Sequence, residues 1–127
     1  MMPLKTNPLS HDLSAECWKA AADIVPPGNA FTEEFWNAAA RHMLTGVILH
    51  VMASYPADKR TVETLIRLVE GGVETIAEIR AKTQSGAVRA WLLPAPSAAD
   101  DHYTAAILAE CAANLHRFLL SNADGMR

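Results

Sequence analysis

A chain of 127 residues, half apolar and one fifth charged, has room for one domain with one hydrophobic core. Its formal net charge of −3 excludes a chain that is basic throughout and holds nucleic acid by bulk electrostatics; only a local basic patch stays open. Two cysteines, Cys17 and Cys111, lack the spacing of a metal site or a disulfide framework. They read as buried, reduced thiols of a cytoplasmic protein.

Residues 1–11 read as an extended lead-in with Pro3 and Pro8 and no signal-peptide core. Leu13, Cys17, Ala20 and Ile24 recur at helical spacing and predict a helix over 13–24, ended by Pro26-Pro27-Gly28. Residues 31–55, FTEEFWNAAARHMLTGVILHVMASY, predict one long helix that is apolar on nearly every side. Such a helix must be surrounded by others. Thr32 is its expected N-cap, Glu33 and Glu34 suit the dipole of its first turn, and Phe31 with Trp36 is placed for a hydrophobic staple. Its one continuous polar stripe is Glu34, Asn37, Arg41 and Thr45. The apolar run from Arg41 to Asp58 is short of the roughly 20 residues of a membrane span and carries His42 and His50.

Thr61 is the expected cap of a third helix, with Val62, Leu65, Ile66 and Val69 as its apolar face and Gly71-Gly72 at its end. A fourth helix is expected over 73–82, and Ser85-Gly86 breaks the pattern. A helical turn over 88–92 precedes Pro94 and Pro96. Ser97 is the expected cap of a last helix over 98–120, with Asp100 and Asp101 in its first turn. Tyr103, Ile107, Cys111, Leu115 and Phe118 form its buried face. No segment alternates as a strand. The expected fold is all-α: a compact bundle of about five to seven helices around a buried central helix at about 33–55, without a sheet.

The chemistry-bearing residues do not assemble into a catalytic set. His11, His42, His50, His102 and His116 are scattered, with no H-E-x-x-H. Cys111 and His116 are five apart on one helix, hence about 140° apart around it. Gly71-Gly72 lacks the P-loop pattern. No catalytic, cofactor or metal residue is predicted. Surface charge is more suggestive. Lys59, Arg60 and Arg67 form a basic group that could meet a nucleic-acid backbone, and Arg80, Lys82 and Arg89 flank Ser85-Gly86. Glu63, Glu70, Glu74 and Glu78 form an acidic group suited to a basic peptide. Trp18 and Trp91 are candidates for an exposed aromatic contact. The expected partner-binding set is therefore Lys59, Arg60, Glu63, Arg67, Glu70, Glu74, Glu78, Arg89 and Trp91.

The chain resembles the all-alpha domain of type IV secretion coupling proteins, the TraG/TraD-type conjugation ATPases. The residues that carry the resemblance are Asn7-Pro8-Leu9, Ala30-Phe31 through Phe35-Trp36, Ala39-Ala40, and Leu44-Thr45-Gly46 with Val47-Ile48-Leu49-His50. The stretch from Thr61 to Val69 and the end from Leu119-Leu120-Ser121 to Met126-Arg127 add to it. The likeness is specific over 31–50 and weak between about 73 and 100. It implies that residues 1–127 are one domain, excised from a larger membrane-anchored hexameric ATPase in whose nucleotide-binding domain it is inserted. ATP and Mg belong to that parent, not to this chain. The implied role is a receptor for secreted effectors, relaxases or their adaptors at the cytoplasmic side of the bacterial inner membrane. DNA contact is the alternative. The isolated domain is expected to be a monomer, with residues near Pro8 and near Met126 close in space.

Overall fold

A computed structural model describes residues 13–92 and 101–125, with residues 101 and 123–125 described by backbone alone. Within these residues the chain forms six α-helices and one short 3-10 turn, and no strand. The helices are α1 (Ser14–Ile24), α2 (Phe31–Ser54), α3 (Val62–Glu70), α4 (Gly72–Lys82), α5 (Gly86–Trp91) and α6 (Asp101–Gly125); the 3-10 turn is Ala57–Lys59. The all-α bundle expected from the sequence is the fold.

The middle of α2 explains the architecture. Every residue from Ala40 to Leu49 except His42 is buried, as are Val51 and Met52. No single neighbour can cover a helix on all sides, and α1, α3, α5 and α6 all pack on α2. The expected face of α6 is the one that packs: Ile107, Cys111 and Leu115 are buried, with Tyr103 and Phe118 at its edge. Cys111 donates from Sγ to the Ala40 carbonyl at 3.4 Å, and burial pushes its thiol up to about 12. Both cysteines are buried and neither is in a disulfide.

Thr61 caps α3 as expected, accepting from the Thr64 amide at 3.2 Å. Gly71 alone separates α3 from α4, and Gly72, the first residue of α4, takes φ +81°, open to glycine and strained for other residues. Ser85 caps α5 through the Val88 amide at 3.1 Å. The last helix outruns its predicted end at 120, because Ser121 to Gly125 contain no proline to stop it. The expected cap at Ser97, the dipole role of Asp100 and the meeting of Pro8 with Met126 lie outside the described residues.

Three expectations about α2 are corrected. Its N-cap is Ala30, not Thr32: Ala30 is extended, and its carbonyl accepts the Glu34 amide at 2.8 Å. The staple does not form, because Phe31 is 89% exposed and Trp36 turns to Phe35 and Tyr103 instead. The polar stripe is not a solvent face. Pro26 and Pro27 lack amides, and the turn they form leaves carbonyls to satisfy. Arg41, only 8% exposed, donates from Nε to the Val25 carbonyl at 2.9 Å, and Asn37 donates to the Pro26 carbonyl at 3.0 Å. Arg41 also pairs with Glu34 at 2.6 Å, and Glu34 in turn accepts from the Gly28 amide at 3.0 Å. The stripe thus fastens the α1–α2 turn onto α2.

Gly46 marks the closest approach to α5. A Cβ there would stand 2.7 Å from Leu92 Cδ2 and 3.0 Å from Trp91 Cβ. In an exposed helix, glycine to alanine gains about 1 kcal/mol. Here overpacking reverses the sign. Gly46→Ala is expected to destabilise the chain by about 1–3 kcal/mol, read as a lower urea midpoint at unchanged slope.

Candidate functional site

Among the described residues, three concave or aromatic regions stand out. The largest is an open groove of about 930 Å³ between the C-terminal end of α2 and α4. One wall is His50, Ser54 and Tyr55; the other is Thr75, Glu78, Ile79 and Lys82, with Leu68 of α3 contributing to the lining. Its two charged side chains neutralise one another, Lys82 donating to Glu78 at 2.8 Å across one helical turn. Lys82 holds the Glu78 carboxyl below the usual range, first through that hydrogen bond and then through its charge. Both are exposed, so the pair adds little stability.

The second region is an apolar shelf where α1, α2 and α5 meet. Trp18 and Trp91 stack with ring centres 5.9 Å apart, and His42 lies 4.6 Å from Trp91. Ser14 and Ala15 complete the lining. The Trp91 indole donates to the Ser14 hydroxyl at 2.9 Å, and the Arg41 guanidinium stands 6.0 Å from the Trp18 ring centre.

The third lies at the opposite end of α2. Phe31 and Phe35 are exposed there, at 89% and 49%. Phe35 meets Trp36 at 5.5 Å and Tyr103 at 6.4 Å, and Trp36 meets Tyr103 at 5.4 Å. Beside Trp36 a cleft of about 240 Å³ opens between the Pro26-Pro27 turn and α6, lined also by Glu33, Asn37, Glu110, Asn114 and Arg117.

Many of the residues singled out in the sequence have internal duties. Arg60 is not a free member of a basic patch: its Nε donates to the Tyr55 carbonyl at 2.8 Å. Arg89 donates to the Thr83 carbonyl at 2.7 Å. Glu70 bridges α3 to α6 by meeting His116 at 3.0 Å. Trp91 is half-buried and holds α5 to α1. Lys59, Glu63, Arg67 and Glu74 are exposed. The predicted set is therefore spread over the α2–α3 turn, α3, α4 and α5, and only Glu78 lines the large groove. Phe31 and Phe35 were missed as surface residues because a phenylalanine before a helix resembles a staple. Cys111 and His116 are separately engaged, with Ala40 and Glu70. Among the described residues no group of three or more His, Cys, Asp or Glu is placed to hold a metal, and no helix is long and apolar enough to cross a membrane.

No family model, curated protein or solved structure matches the chain.

The groove carries a titratable group. His50 is half-buried, with Nδ1 3.5 Å from the Ser54 hydroxyl and its ring edge-on to Tyr55 at 5.8 Å. Burial lowers its pKa from 6.5. Because the folded chain favours the neutral ring, the stabilising contribution is complete above pH 6.5. It is lost as the pH falls from there through the lowered folded value. His50→Gln is expected to remove this part of the pH dependence, read from urea midpoints taken in steps below pH 7. Identical slopes for both chains would contradict it.

Proposed function

We propose that this chain is the substrate-recognition domain of a type IV secretion coupling protein and works by binding protein. The observation that carries the reading is the position of the resembling run. Phe35-Trp36, Ala39-Ala40 and Leu44 through His50 all lie on α2, the helix on which α1, α3, α5 and α6 pack. The most specific part of the likeness therefore coincides with the part of the fold that every neighbour depends on. An all-helical body with rigid grooves and an exposed aromatic end suits capture of a polypeptide.

The mechanism follows from that rigidity. A surface fixed by the packing around α2 binds the signal segment of a relaxase, an effector or an adaptor without refolding. Movement of the captured cargo is then the work of the parent's nucleotide-binding domain, where ATP and Mg act. In this reading the parent is anchored in the bacterial inner membrane, and this domain faces the cytoplasm. The competing DNA reading is weakened by Arg60, whose side chain is turned to the Tyr55 carbonyl.

The test is a pull-down on the immobilised chain with C-terminal signal domains of secretion substrates and with adaptor proteins. Retention of cognate domains, and not of the same domains lacking their signal tails, is expected. Retention of none, together with tight and steeply salt-dependent DNA binding, would replace this reading with the DNA one.

A further inference from the structure

The two phenylalanines at the start of α2 are exposed, Phe31 almost wholly and Phe35 by half. Phe31 and Phe35 are four residues apart, so they share one side of the helix. They account for two of the four large apolar side chains exposed among the described residues. They also continue inward: Phe35 touches Trp36 and Tyr103, which touch each other and join α2 to α6. The result is an aromatic surface with Phe31 outermost in water, Phe35 half-exposed, and Trp36 and Tyr103 packed on the core behind it. Rigid aromatic anchors of this kind dominate binding energy at protein interfaces.

Charge says what kind of partner fits. Glu33 stands exposed between the two phenylalanines in sequence, and Glu110 lines the cleft beside Trp36. Of the arginines at this end only Arg41 is neutralised by a carboxylate; Arg117 is exposed and keeps its charge, so Glu33 and Glu110 leave the cleft with one net negative charge. Arg41 is buried against Glu34 and the Val25 carbonyl, and Arg117 donates to the Asn114 side-chain oxygen. The cleft, of about 240 Å³, has room for one large side chain. An aromatic face attracts a cation directly, and neighbouring carboxylates add to that attraction. The other two regions lack this information. In the α2–α4 groove, Glu78 and Lys82 cancel, and the Trp18–Trp91 shelf has no carboxylate in its lining, while Arg41 beside Trp18 is already paired with Glu34.

We propose that this end of the molecule docks a partner-protein segment in which an aliphatic or aromatic side chain stands next to an arginine or lysine. The apolar side chain lies on Phe31 and Phe35. The cationic one enters the cleft along Trp36, with its charge toward Glu33 and Glu110. The inference rests on the reading of the chain as a protein receptor, and it names the signal chemistry that the receptor would select.

The test uses the full chain, isotopically labelled, and two synthetic peptides of equal length: one alternating leucine and arginine, the other leucine and glutamate. The arginine peptide is expected to shift the amide signals of Phe31, Phe35, Trp36 and Tyr103, and the glutamate peptide to leave them. Phe31→Ala with Phe35→Ala is expected to weaken binding at least tenfold without altering the helical circular dichroism. Glu33→Gln with Glu110→Gln is expected to weaken it severalfold and flatten its salt dependence, whereas Asp58→Asn, exposed in the turn beyond the far end of α2, does not. Shifts confined to the α2–α4 groove, equal loss in the two charge variants, or concentration-dependent self-association abolished by the phenylalanine variants would each overturn the proposal. The same phenylalanine variant belongs in the pull-down. If it retains cognate signal domains as well as the parent chain does, the docking surface is wrong and the receptor reading stands. If the chain captures no signal domain yet binds the arginine peptide at Phe31 and Phe35, the receptor reading is wrong and the surface stands.

Discussion

The constraint on which the fold depends is that α2 has no face of its own to give to water between Ala40 and Leu49. His42 is the single exposed residue in that stretch, and even its ring lies against Trp91. Burying a helix on all sides fixes how many neighbours it must have and how close they come. α1, α3, α5 and α6 each take a sector, and small residues set the spacing where two backbones approach. Ala40 receives the Cys111 thiol of α6, and Gly46 receives Leu92 at the end of α5. A short helix such as α5 could not persist on its own six residues. It persists because Val88 and Leu92 fill the sector of α2 that the other helices leave open.

Packing around one post leaves a recurring polar problem, solved the same way three times. The helices α1, α2 and α4 all end in an extended residue, at Val25, Tyr55 and Thr83, not in the left-handed glycine that commonly caps a helix. Each of those residues keeps a carbonyl in need of a donor. An arginine supplies it each time: Arg41 to Val25, Arg60 to Tyr55 and Arg89 to Thr83. The positive charge also suits the negative end of the helix dipole. This is the physical reason why a count of arginines overstates the basic surface. Three of them are structural stitches that turn the chain from one helix to the next.

The boundaries of the helices were legible because proline, glycine and threonine act locally. Pro56 after α2, Thr61 before α3 and Gly71-Gly72 between α3 and α4 all do what their backbone chemistry dictates. The buried face of α6 was legible because its period is regular. The start of α2 was not. Thr32 is an eligible cap in every local respect, yet Glu34 reaches back to the Gly28 amide and Arg41 draws the Pro-Pro turn inward, so the helix begins earlier. A contact sixteen residues apart in sequence decided the matter. The structural roles of Arg60, Arg89 and Glu70 were hidden for the same reason: their partners are backbone carbonyls or a histidine on another helix, which charge counting does not see.

The exposed aromatic end has a further cause that periodicity cannot register. Hydrophobic periodicity asks which side of a helix is buried and averages along its length. On α2 the burial changes along the axis, not around it. Residues 31–39 are exposed or half-buried, and from Ala40 onward nearly all are buried. Phe31 and Phe35 therefore read as part of the same apolar run as Leu44 and Val47, although they project beyond the bundle that encloses the latter. The helix is both scaffold and surface. Its C-terminal two thirds hold the bundle together. Its first turns, fixed in place by that same packing and by the Glu34–Arg41 pair, carry the exposed rings on a rigid support. Trp36 and Tyr103 are already packed behind Phe35, so these inner rings have little side-chain freedom left to lose.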